Sequence, residues 1–144
     1  MSTKVIVQPY LFFNGRCEEA LEFYRNGLDA EITMLMRFKD APDPKAAGGD
    51  PDKVMHASFS IGNTQLMASD GDSSEGPSFQ GFALTLSVES EADANRVFSA
   101  LKKGGKVVTP LAKTFFSPCF GMVTDPFGML WMVLTAAEQT EKKQ

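Results

Sequence analysis

The sequence predicts an α+β fold in which one β-α-β-β-β unit is used twice. Three observations carry that expectation. The first is repetition at about half the chain length. Phe23 and Phe98 occupy matching helix positions 75 residues apart, and Ala30-Glu31-Ile32 matches Gly105-Lys106-Val107 at the same offset. The second is the order of periodicities within each half: one apolar strand, one amphipathic helix, then three strands. The third is a polar, Gly/Ser-rich linker, 71–78, containing "GDSSEGP", between the halves.

Val5 to Phe13 is apolar and strand-forming and ends at Asn14-Gly15, a turn signal. In "RCEEALEFYRNGLDAE", Ala20, Leu21, Phe23, Tyr24 and Leu28 recur at helical spacing, opposite Glu18, Glu19, Glu22 and Arg25. The acidic first turn suits the helix dipole, and Asn26-Gly27 is expected to supply a left-handed stop. "AEITMLMRF" reads as a strand. The loop from Lys39 to Asp52 holds three prolines and two glycines, long for a connection inside a compact domain.

"KVMHASFSI" alternates as a strand, Gly62-Asn63 turns it back, and "TQLMASD" returns. After the linker come a strand in "FALTLSV" and a helix in "ESEADANRVFSALKKGG" that gathers Ala94, Val97, Phe98 and Leu101 on one face. "KVVTPLAKTFF" is strand-rich, "FGMVT" is a strand, and "DPFG" is a tight turn into the apolar strand "MLWMVLT". The chain therefore reads as a single domain, 1–144, made of halves at about 1–70 and 79–137 and a polar tail, 138–144.

Composition narrows the function. With 43% hydrophobic and 22% charged residues the chain is ordinary for a globular protein. A formal net charge of −4, with Arg16, Arg25, Arg37 and Arg96 scattered, argues against a nucleic-acid partner. No window resembles a membrane span or a signal peptide. Two cysteines, Cys17 and Cys119, form no CxxC pattern, so the expected setting is cytoplasmic with both thiols free.

The stretches "VQPYLFFNGRCEEALEFY", "VMHASFSIGNTQLMASD" and "FFSPCFGMVTDPFGMLWMV" resemble the vicinal oxygen chelate superfamily of glyoxalases, bleomycin- and fosfomycin-resistance proteins and extradiol dioxygenases. Within it they resemble the PhnB-like branch, often labelled with a demethylubiquinone methyltransferase domain name. The resemblance implies tandem βαβββ repeats forming a cupped eight-stranded mixed sheet around one cavity, in a homodimer. In that superfamily metal ligands stand on the inner faces of the first and last strands of each half, the last one four residues after the turn glycine. Counted from Gly128, that position is Met132, a thioether ill-suited to a hard divalent cation. The matching first-half strand offers Gln65, Leu66 and Met67, and the first strands of the halves offer Gln8 and Phe82, Leu84 and Thr85. No metal and no cofactor are expected.

His56 is the single histidine. Catalytic zinc normally takes three protein ligands, so the choice lies between a hydrogen-bonded cavity histidine and a polar anchor or proton carrier for a ligand. Cys119 lacks an evident base, and Cys17 at a helix start has ordinary packing as its default. Gly48-Gly49 and Gly104-Gly105 do not form the strand-to-helix loop that S-adenosylmethionine would need, and clustered Arg or Lys for a phosphonate is absent from the inner strands. What the expected inner faces hold is soft and aromatic: Tyr10, Phe12, Met34, Met36, Met55, Met67, Phe115, Phe116, Met122 and Trp131, with His56, Ser58, Gln65, Ser69 and Thr114 as polar points.

The function expected is metal-free binding of a small apolar or aromatic molecule, with Tyr10, Met36, His56, Ser58, Met67, Phe116 and Trp131 as ligand-binding residues. The alternatives are a metal-dependent glyoxalase- or dioxygenase-type enzyme with atypical ligands (Gln8, His56, Gln65), and a dimeric scaffold whose cavity is filled by its own side chains. The expected partners are a small-molecule ligand and a second copy of the chain, with neither nucleic acid nor membrane.

Overall fold

A computed structural model describes residues 5–43, 50–71 and 76–136. The expected tail 138–144, the middle of the 39–52 loop and half of the linker fall outside those residues. The chain divides into two compact units, Met1–Pro77 and Ser78–Gln144. Among the described residues each has one α-helix and one four-stranded mixed sheet, so the class is α+β and the strand-helix-strand order is the expected one.

In the first unit the strands are β1 (Tyr10–Phe12), β2 (Glu31–Arg37), β3 (Val54–Ile61) and β4 (Thr64–Ser69), arranged β1-β4-β3-β2. β1 runs parallel to β4, and the other pairs are antiparallel. β1 is shorter than the expected Val5–Phe13 strand. Pro9 has no N–H to offer a ladder, its carbonyl accepting from Met67 N at 3.0 Å. Upstream, Val5, Ile6 and Val7 are 81%, 74% and 91% exposed and take no part in the sheet.

Helix α1 (Cys17–Leu28) buries Cys17, Ala20, Leu21, Tyr24 and Leu28, the spacing of one helical face. Tyr24 stacks on Phe59 of β3, with centroids 6.2 Å apart. The left-handed stop is Asp29 (φ 57°) rather than Asn26-Gly27, which lie inside the helix. Arg16 at the N-cap contributes no side-chain cap. Asp70, just beyond β4, takes that role from a distance: its Oδ1 accepts from Gly15 N and Cys17 N, each at 2.8 Å.

In the second unit the strands are β5 (Leu84–Val88), β6 (Lys106–Ala112), β7 (Phe120–Thr124) and β8 (Leu130–Thr135), arranged β5-β8-β7-β6. Helix α2 (Glu91–Lys102) is capped by Ser90, whose hydroxyl accepts from Asp93 N at 3.0 Å. It buries the face expected, Ala94, Val97, Phe98 and Leu101. Gly121 of β7 is required there, because a Cβ would stand 2.8 Å from the Phe98 ring. β6 stops at Ala112, short of the "KTFF" included in the sequence reading. Beyond it Thr114 closes a turn, accepting from Ser117 N at 3.1 Å and donating its backbone N–H to Ser117 O at 2.9 Å.

Asp125 organises the turn before β8. Its Oδ1 accepts from Phe127 N and Met129 N at 2.9 and 3.1 Å, and its Oδ2 from Trp131 Nε1 at 2.8 Å.

Candidate functional site

Directly paired residues in a sheet point to the same face, so register assigns side chains. In the first sheet Leu11, Ala68, Ala57 and Leu35 form one row across β1, β4, β3 and β2, on the side of α1. On the opposite side run two rows: Tyr10–Met67–Ser58–Met34, and Phe12 with Ser69, next to His56 paired with Met36. Five of the seven expected ligand-binding residues (Tyr10, Met36, His56, Ser58 and Met67) thus share one face of one sheet. All five are half-buried or exposed.

Hydrogen bonds tie this face together. Tyr10 Oη lies 2.9 Å from His56 Nδ1, and the far ring nitrogen, Nε2, lies 3.5 Å from Ser58 Oγ. The Tyr10 ring also packs at 5.0 Å on Phe12 and 5.5 Å on His56. Partial burial pushes the Tyr10 phenol up from its ordinary value, a Ser69 hydrogen bond pulls it back, and neighbouring Cys17 adds to the rise. At neutral pH Tyr10 is therefore a phenol with a proton to donate.

The other two expected residues belong to the second unit. Phe116 is exposed and meets Phe120 edge-on at 5.0 Å and Phe115 at 5.1 Å. Trp131 is a correction. It is 2% exposed, on the α2 side of β8 in the row of Leu84, with its indole N–H held by Asp125. The face away from the helix carries Met132 and Leu134 instead, paired with Thr85, Met122, Ser87 and Phe120. Phe115, expected on an inner face, is 100% exposed in the loop after β6.

The superfamily's metal does not fit the donors available. The position four residues after Gly128 is Met132, whose sulfur receives the Thr85 hydroxyl at 3.9 Å. Among the described residues no group of three or more His, Cys, Asp or Glu converges as a metal site would require. The neutral oxygen of Gln65, on an exposed end of β4, is a weak donor by itself.

A cleft of about 360 Å³ does open in the first unit, but at the N-terminus of α1, among Gly15, Glu18, Arg37, Lys53 and Asp70. Its charges are already engaged. Arg37 holds Glu18 through two hydrogen bonds of 2.9 and 2.8 Å and lowers the Glu18 pKa, and Lys53 Nζ donates to Gly15 O at 3.0 Å. Nor are the cysteines nucleophiles. Cys17 is fully buried, and burial, Asp70 and Glu18 drive its thiol pKa up. Cys119 is buried as well, and its thiol is raised by burial and by Glu91. Neither Asp70 nor Asp125 stood out in the sequence: the partners of Asp70 lie 16 to 55 residues away and become neighbours only in the fold, and Asp125 read as a plain turn residue although its partners are local.

The paired βαβββ units and the solved structures that share them place the chain among proteins of the glyoxalase/bleomycin-resistance fold. The fosfomycin resistance protein FosX from Mesorhizobium loti shares that fold at 11% identity, with a TM-score of 0.62 over 99% of this chain and all of that one. More narrowly, residues 5–134 match the family described as 3-demethylubiquinone-9 3-methyltransferase, and the chain belongs to that family, the PhnB-like branch of the vicinal oxygen chelate superfamily. Protein YjdN of Escherichia coli is 31% identical over 142 residues, 92% of this chain and 97% of that protein. Protein PA1353 from Pseudomonas aeruginosa is 39% identical, with a TM-score of 0.82 over 92% of this chain and 98% of that one. A PhnB protein from Bacillus cereus is 29% identical, with a TM-score of 0.78 over 92% and 100%.

Proposed function

We propose that the chain binds a small apolar or aromatic molecule on the helix-free face of its first sheet, without a hard divalent metal. The observation that carries this reading is the Tyr10–His56 hydrogen bond set among Phe12, Met34, Met36 and Met67. Adaptable thioethers and aromatic rings with a few directed polar atoms are what small-molecule sites consist of. The homodimer implied by the resemblance is part of the same reading, and sedimentation at two concentrations tests that component.

Methyl transfer, the activity in the family description, draws no support from the glycines. Gly105 follows α2, where a Cβ would stand 2.1 Å from Thr124 O, so its smallness serves backbone packing. Gly48-Gly49 lies outside the described residues.

The test is a fragment set of aromatic and aliphatic compounds followed by methionine-methyl NMR. Hits should move the Met34, Met36 and Met67 methyls and bind His56→Ala more weakly while its amide spectrum stays folded. Retention of about one Zn²⁺, Mn²⁺, Fe²⁺ or Ni²⁺ per chain after purification without a tag would overturn the reading in favour of metal-assisted chemistry. Absence of any hit on these methyls would point to a scaffold.

A further inference from the structure

The next step rests on the first-sheet face being the binding surface, and it concerns which ligand that face selects. The phenol oxygen of Tyr10 lies 2.9 Å from His56 Nδ1. Of the two groups the phenol is the better donor and a bare imidazole nitrogen the better acceptor, which places the phenol proton toward Nδ1. An imidazole that accepts at Nδ1 carries its hydrogen on Nε2. The 3.5 Å contact from Nε2 to Ser58 Oγ is at the limit of hydrogen bonding, so that N–H retains capacity for a better acceptor.

The rows around it, Tyr10, Phe12, Met34, Met36, Ser58 and Met67, contain no Lys or Arg to balance an anion and no carboxylate to receive an amine. We propose that His56 presents a fixed Nε2–H donor to the oxygen of a neutral carbonyl compound whose planar, apolar body lies on Tyr10, Phe12 and the methionines. A carboxylate would lie there without a counter-charge, and a hydrocarbon would leave the donor unused.

Because His56 is the single histidine, its ring nitrogens give an unambiguous spectrum. Long-range ¹H–¹⁵N correlation on the neutral ring should show Nδ1 bare and Nε2 protonated. Tyr10→Phe should erode that preference, with the amide spectrum reporting an intact fold. A proton on Nδ1 in the unaltered protein, or no response to Tyr10→Phe, overturns the assignment.

Acetophenone, ethylbenzene and benzoate are then titrated into methionine-methyl-labelled protein. Acetophenone should move the Met34, Met36 and Met67 methyls with a Kd about three- to tenfold below the other two, the worth of one net hydrogen bond. His56→Gln, which keeps an N–H donor, should retain part of that preference, and His56→Leu should abolish it. Equal binding of all three probes, or a preference for benzoate, defeats the carbonyl inference while leaving the face a binding surface. If none of the probes moves those methyls, the binding reading itself fails.

Discussion

Both oxygens of the Asp70 carboxylate accept from backbone N–H groups: Gly15 and Cys17 at Oδ1, and Val54 at Oδ2, each at 2.8 Å. One 3%-exposed side chain therefore joins the turn after β1, the start of α1 and the start of β3. Asp70→Ala would leave those donors without a partner, at a cost of roughly 3 kcal/mol or more, read as a lowered urea midpoint. Cys17 makes a pH prediction. Its folded pKa is raised above the ordinary 9.0, chiefly by burial, so its contribution to stability is full below about that pH. It is lost as pH climbs toward the folded value, because the unfolded thiol ionises first. Denaturation midpoints should thus fall above pH 9.0, less steeply in Cys17→Ala. With Cys119 also buried, native protein should leave a thiol reagent unreacted while denatured protein consumes two equivalents.

The helices were legible because the sequence alternates polarity at their period. α2 buries the four residues expected, and Ser90 caps it locally. Ser90→Ala should cost about 1 kcal/mol by urea denaturation, with little effect on any ligand bound to the first sheet. α1 was legible in its face but not in its ends. Its cap arrives from Asp70, 53 residues beyond Cys17, and no local pattern announces it. Strand faces divide in the same way. In "VMHASFSI" polar and apolar residues alternate, so His56 and Ser58 could be put together on one side. In "LWMVLT" both sides are apolar, and period two cannot tell Trp131 from Met132. The indole N–H decided it by reaching the buried Asp125 carboxylate. β1 contracted to Tyr10–Phe12 because Pro9 interrupts a run that composition alone would extend to Val5.

For the whole molecule, duplication supplies two sheets of the same order, β1-β4-β3-β2 and β5-β8-β7-β6. The two differ in what they show on the side away from their helix. The first sheet carries a phenol–imidazole pair among thioethers. The second carries Met132, Leu134, Met122 and Phe120 with Thr85 and Ser87. Repetition was readable from the 75-residue offset, but the pairing of Tyr10 with His56 follows from register across β1, β4 and β3. The membership of this chain in the PhnB-like branch fixes its architecture. None of the helices among the described residues is long and apolar enough to cross a membrane.

The most direct test of the account is a crystal structure of the protein soaked with planar aromatic carbonyl fragments. A fragment should lie over Tyr10, Phe12 and Met36 with its carbonyl oxygen within hydrogen-bonding distance of His56 Nε2. Fragments seated only elsewhere, with the Tyr10–His56 face bare at saturating concentration, would contradict it.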